Sequence, residues 1–316
     1  MIGFDSLLEQ LRHSIKSGSL SHAHLITGPD GIGKSVFSRV FARMILNYGE
    51  EGKKENYVDM VEIRTDKLSI GVDDIRKVVS EANVKPFEGN RKVIIIHTAE
   101  KMTVQAQNAV LKTLEEPPAG VFFILVAETT ESILPTIISR VQIHKLSPLS
   151  DTEIDRYISG IPDLTSETRD ILKAISQGIP GKVDSFLKDD SYRAFLDICF
   201  DFMSILSSIR GLRDRNSVEV LNKNSTVLEY DPEEFFATLI LISRDIMMLK
   251  LTSDYKRLIF LYNKEVLEKI SQKFSLKRLD HIITVSEYAL DLFRPGRNIN
   301  SETVVDHILF KLLEEV

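Results

Sequence analysis

A single cysteine, Cys199, stands in a chain of 316 residues, so there is no intrachain disulfide and no multi-cysteine zinc site. Cys199 is expected to be a small buried apolar residue. No apolar run approaches the ~20 residues that a membrane helix needs, and no charged-then-apolar leader opens the chain, so the expected location is cytoplasmic, with no membrane partner. An excess of positive charge is also missing. The net charge is -6, which gives no global attraction to nucleic acid and restricts any DNA contact to a local patch or to partner subunits. Internal repeats and low-complexity tracts are absent as well. The 43% hydrophobic and 27% charged fractions are ordinary for globular proteins, and the length exceeds what one core usually supports, so two or three domains are expected.

Against these absences stands one dense motif. Residues 28–35 read Gly28-Pro29-Asp30-Gly31-Ile32-Gly33-Lys34-Ser35, a complete G-x-x-x-x-G-K-[ST] phosphate loop. Glycines there let backbone N–H groups curl around phosphate oxygens. Lys34 brings a point charge to the outer phosphates, and the Ser35 hydroxyl reaches Mg²⁺. The flanks have the required order. Ala23 to Thr27 read as a strand, and the following helix places Phe37, Val40, Phe41, Met44, Ile45 and Tyr48 at helical spacing. ATP with Mg²⁺ is therefore the expected ligand.

Short apolar runs alternate with helix-period segments up to about residue 147, which predicts a parallel sheet covered by helices. Candidate strands are Ala23 to Thr27, Met60 to Arg64, Val93 to Ile96, Val121 to Ala127 and Gln142 to Leu146. The rest reads helical, with breaks at Gly160 to Asp163, Gly178 to Gly181, Asn222 to Asp231 and Pro295-Gly296. Asp231-Pro232-Glu233-Glu234 reads as a capped helix start. Val305, Ile308, Leu309, Leu312 and Leu313 form a terminal apolar stripe, expected to be intrachain core.

Further along, Ala106-Gln107-Asn108-Ala109-Val110-Leu111-Lys112-Thr113-Leu114-Glu115-Glu116-Pro117-Pro118 is long and specific. With the approach Gly18 to Leu25, the run Leu134-Pro135-Thr136-Ile137-Ile138-Ser139-Arg140-Val141 and Asn298-Ile299-Asn300, it resembles the AAA+ clamp-loader subunits of bacterial DNA polymerase III, the delta-prime branch most closely. That resemblance implies a phosphate-loop α/β domain at residues 1–147, a small helical lid at 148–190 and an all-α collar at 191–316. It implies assembly with tau/gamma and delta subunits, and through them contact with the sliding clamp and primed DNA. Polymerase activity would belong to the whole assembly. It also makes Arg140 the candidate catalytic residue, an arginine finger that reaches a neighbouring subunit's nucleotide. The residue-level alternative is an arginine that satisfies its own helix terminus.

The departures from that family matter equally. The resemblance implies adjacent acids after the third strand, where this chain has His97-Thr98, and neither replaces carboxylates around Mg²⁺ and the attacking water. Glu100, nearby, is expected to point elsewhere. Where the family carries a lid arginine stands Gly181, with Lys182 beside it as an ordinary surface lysine. The segment Asn47 to Val58 has no cysteine, so the family's zinc module is not expected. Glu128 and Thr129 are expected to be solvated strand-end residues, and His22 and His24 to serve packing or a hydrogen bond rather than a metal. The expectation is a subunit that holds ATP but hydrolyses it poorly. Missing acids, the missing lid arginine and no long carboxy-terminal extension argue against a catalytic tau/gamma-type subunit. The segment 106–118 and the helical second half argue against a recombination helicase motor or a small-molecule kinase.

Overall fold

The computed structural model describes residues 2–47, 57–65, 69–188, 191–209, 217–252, 255–293 and 300–314. Tyr48, the Pro295-Gly296 break, residues 298 and 299, and most of the segment 47–58 lie outside the described residues. The chain divides into two units: residues 1–160 with 177–181, and residues 161–176 with 182–316.

In the first unit the order is α1 (Asp5–Lys16), β1 (Ala23–Thr27), α2 (Lys34–Leu46), β2 (Met60–Ile63), α3 (Val72–Ala82), β3 (Lys92–Ile96), α4 (Val104–Glu115), β4 (Val121–Ala127), α5 (Pro135–Ile138), β5 (Gln142–Lys145) and α6 (Asp151–Ser159). The five strands form one parallel sheet in the order β2-β3-β4-β1-β5. They coincide with the expected runs to within a residue. All five residues of β3 are buried, as a strand covered on both faces requires. Alternation decides which helices cover which face. Leu25, Ile94, Ile96, Phe123 and Leu125 pack with Ala106, Val110 and Leu114 of α4 and with Ile75 and Val78 of α3. His24, on the other face of β1, meets Phe41 of α2 edge-on at 4.8 Å.

The α4 helix begins where the Thr103 hydroxyl accepts from the Ala106 N–H at 3.2 Å, and Pro117 stops it after Glu115. Its buried Gln107 donates to the Ser132 carbonyl at 2.9 Å and accepts from the Leu134 N–H at 2.7 Å. That side chain fixes the segment leading into α5, and so the position of Ser139-Arg140.

The second unit is helical among the described residues: α7 (Ser166–Ser176), α8 (Pro180–Lys188, from Lys182 onward), α9 (Ser191–Ser207), α10 (Ser217–Leu221), α11 (Asn224–Glu229), α12 (Pro232–Thr252), α13 (Lys264–Lys273), α14 (Leu276–Phe293) and α15 (Ser301–Leu312). Asp231 caps α12 through the Glu233 N–H at 3.0 Å, as its sequence suggested. Phe202, Phe235 and Phe236 stack edge to face, at 5.2 and 5.4 Å, in the core beside α12. Cys199 is buried, and so is the whole α15 stripe from Val305 to Leu313, which is therefore intrachain core. Inside α12, the fully buried Asp245 accepts the N–H groups of Ile259 and Phe260, both at 2.8 Å, and pins the 258–260 turn. Among the described residues no helix is long and apolar enough to cross a membrane.

Candidate functional site

The phosphate loop leaves the carboxyl end of β1 between β4 and β5, where the strand order reverses and α/β sheets open a crevice. Gly28, Gly31 and Gly33 have φ of 152°, 74° and 98°, which side chains other than glycine rarely adopt. The loop thus has the backbone form that an anion cradle needs, and α2 starts directly behind it with its positive end facing the cradle. Ile32 is buried and anchors the loop, whereas the Asp30 carboxylate is exposed, 3.8 Å from the Lys34 ammonium. Lys34 itself folds back to donate to the carbonyls of Gly28 and Pro29, both at 2.9 Å. Burial lowers its pKa, while Asp30, Glu128 and Glu100 oppose that shift. A phosphate would replace two neutral acceptors with a charged one, so the residues present fit a nucleotide's phosphates.

The cation side fits Mg²⁺ less well. Ser35 Oγ lies 3.4 Å from Nδ1 of His97, the residue that directly follows β3. His97 Nε2 donates to Glu62 at 2.8 Å, and Glu62 is held in turn by the Arg39 Nε at 2.7 Å. Burial lowers the pKa of His97 despite Glu62. Burial raises that of Glu62, but the bonds from Arg39 and His97 outweigh it and bring the carboxyl below its usual range. Imidazole, carboxylate and guanidinium therefore form a closed chain beside Ser35. Sequence reading missed Glu62 because its partner is 35 residues away. Only the register that pairs Ile63 with Ile96 brings the two together.

Glu100 requires a correction. It does not point away. Thr98 takes a left-handed backbone with φ 50°, and the following 3-10 turn, Ala99–Lys101, brings the Glu100 carboxyl back toward Lys34 and Glu128. Its Oε2 is buried without a hydrogen-bond partner. Burial first, and Glu128 next, raise its pKa. Glu128 accordingly belongs to the rim of the loop.

Gly181, at the position where the family resemblance implies an arginine, lies against the phosphate loop. Gly181 donates its N–H to the Gly31 carbonyl at 2.9 Å, and a Cβ on Gly181 would stand 2.5 Å from Gly31 Cα. No side chain fits there while this contact holds. Gly181→Ala is expected to cost about 1–3 kcal/mol by overpacking. Thermal unfolding followed by circular dichroism measures this, and an unchanged midpoint would mean that the two backbones separate freely. Lys182 pairs with Glu234 at 2.9 Å.

Arg140 sits at the other rim of the sheet. It precedes β5, as His22 precedes β1, so both lie at the amino ends of strands whose carboxyl ends carry the phosphate loop. Five residues of β1 separate the two rims by about 16 Å. The guanidinium donates to the Thr136 carbonyl at 2.7 Å and to Ser139 Oγ at 3.0 Å, and it pairs with Glu115 at 2.5 Å. It thus satisfies its own helix end and a partner on α4, yet remains about one-third exposed. Beside it opens a cleft of about 410 Å³ lined by His22, Leu114, Glu115, Ser139 and Arg140. His22 donates to the Leu114 carbonyl at 2.7 Å. His24 donates from Nε2 to the Ser21 carbonyl at 2.9 Å and meets His144 at 3.0 Å through Nδ1, its pKa driven down to about 3 by burial and by His144. Both histidines serve packing and hydrogen bonding.

A family model described as DNA polymerase III, delta subunit, matches residues 4–150. The delta-prime subunit of DNA polymerase III from Bacillus subtilis is 24% identical across 98% of this chain and 95% of its own length. The chain is homologous to the AAA+ clamp-loader subunits of DNA polymerase III. The tau/gamma subunit of Haemophilus influenzae is 29% identical over 240 residues, 70% of this chain and 34% of that relative. The Escherichia coli delta-prime subunit is 28% identical over 206 residues, 60% of this chain and 62% of that relative. The matches to these last two relatives thus span less than two thirds of their lengths. Homology extends to both the delta-prime and the tau/gamma subunits and does not by itself select between them.

Proposed function

We propose that this chain is a delta-prime-like subunit of a DNA polymerase III clamp loader. In this reading it assembles with tau/gamma and delta subunits, holds ATP without turning it over efficiently, and supplies Arg140 to the nucleotide of a neighbouring subunit while the assembly places the sliding clamp on primed DNA. The lid would span residues 148–190 and the collar residues 191–316.

One observation carries the reading: the phosphate loop and Arg140 lie at opposite rims of the same sheet, about 16 Å apart. An arginine so placed is out of reach of its own loop, and a guanidinium suits charge spread over phosphoryl oxygens. The loop itself keeps its cradle, Lys34 and Ser35. At the end of β3, however, it has an imidazole tied to Glu62 and a threonine, so no carboxylate from that position orients water. ATP would supply the charge and the reactive phosphoryl group. This chain's backbone N–H groups and Lys34 bind and orient the phosphates.

The isolated chain is expected to bind ATP and to turn it over at background rate, with Lys34→Ala losing the binding. Equilibrium binding and steady-state hydrolysis measure the two parts, and robust solo turnover that depends on Lys34 would sink the reading. A second reading, a catalytic tau/gamma-type subunit, is favoured by the half-buried Glu100 carboxyl near Lys34, one oxygen of which, Oε2, has no hydrogen-bond partner. It requires solo turnover that Glu100→Gln removes.

A further inference from the structure

At most phosphate loops the cation is held by hydroxyl, water and carboxylate oxygens. Here the group that faces the Ser35 hydroxyl is a ring nitrogen. Because a carboxylate only accepts, the 2.8 Å bond to Glu62 places the proton of His97 on Nε2 and leaves the lone pair on Nδ1, directed to Ser35. An imidazole whose far N–H is given to a carboxylate is the arrangement that orients metal-ligating histidines. Arg39 at 2.7 Å and Arg64 at 3.8 Å hold that carboxylate in place. The 3.4 Å between Ser35 Oγ and His97 Nδ1 is long for a hydrogen bond. It suits two donors sharing one ion at about 2.0–2.2 Å each.

Magnesium demands oxygen ligands, whereas imidazole suits the later first-row divalent ions. We infer that the loop takes its nucleotide together with a divalent transition ion of the cobalt and zinc class, held by Ser35 Oγ, His97 Nδ1 and phosphate oxygens, in preference to Mg²⁺. Among the described residues no group of three or more His, Cys, Asp or Glu side chains could hold a metal. Ion and nucleotide therefore bind as a pair, the phosphates completing a site for which the protein brings two donors. The inference rests on the reading that the loop holds nucleotide, but not on whether Arg140 acts in trans.

The test uses the full chain, ADP, and Co²⁺ or Mg²⁺. ADP is expected to bind at least about tenfold more tightly with Co²⁺ than with Mg²⁺, and His97→Asp to abolish or reverse that order. Low-temperature pulsed electron paramagnetic resonance of the unaltered chain with Co²⁺ and ADP should show coupling to a histidine ring nitrogen, a measurement that needs no variant. Equal affinity with both ions, a cobalt preference that His97→Asp leaves intact, or a cobalt spectrum without histidine nitrogen coupling each overturns the inference while nucleotide binding stands. No ADP binding with any ion overturns the inference and the nucleotide-holding reading together.

Discussion

Arg140→Ala in the assembled loader is expected to lower ATP turnover by about a thousandfold while leaving this chain folded. A planar guanidinium that meets a transferring phosphoryl group stabilises charge present only in the transition state, so the loss falls on kcat rather than on nucleotide affinity. Stability should barely respond. The Glu115 pair is partly exposed on both sides, and exposed pairs contribute at most about 1 kcal/mol. Arg140→Lys separates charge from shape: it keeps a cation but loses the fork, and only a small part of the rate should return. Steady-state hydrolysis by the complex reconstituted with tau/gamma and delta subunits gives the answer. A rate unchanged in Arg140→Ala, with assembly intact, removes this residue from the chemistry and leaves it as the end-cap of α5.

Asp245→Asn is expected to stabilise the chain at alkaline pH and to leave it unchanged in acid. Burial raises the Asp245 carboxyl from 3.8 to about 6, against the pull of the Phe260 and Ile259 N–H groups and Arg244. The folded protein thus holds the proton more tightly than the unfolded one, so this residue's contribution is complete below about pH 4 and is lost as the pH rises through 6. The gap between the two values corresponds to about 3 kcal/mol. Asparagine offers a carbonyl oxygen to the same two N–H groups and never ionises. Unfolding free energies of the two proteins should agree near pH 4 and differ by about 3 kcal/mol at pH 8. A variant less stable than the parent at pH 8 would show that the charge on Asp245 strengthens the 258–260 turn instead of weakening it.

The sheet was legible because strands covered on both faces have to be unbroken apolar runs, and Val93 to Ile96 or Val121 to Ala127 admit few other readings. The phosphate loop was legible for a related reason: its glycines are dictated by backbone angles, which sequence spacing records directly. The pairings that tune the site were not. Glu62 with His97, His24 with His144 and Gly181 with Gly31 all join residues distant in sequence whose meeting depends on strand register or on how the 177–181 segment returns to the loop. Glu100 escaped for a local reason. One left-handed residue, Thr98, turns the chain back on itself, and nothing about threonine announces that conformation.

The two rims of the sheet bear unlike chemistry, an anion cradle on one and a cationic side chain on the other. If those rims meet in an assembly, the contact joins different surfaces, so no two-fold axis can relate the copies that share it. Such a contact has a direction. Repeated, it closes into a ring or runs on as an open arc, and in an open arc a member that lent a guanidinium without turning over its own nucleotide would belong at one end.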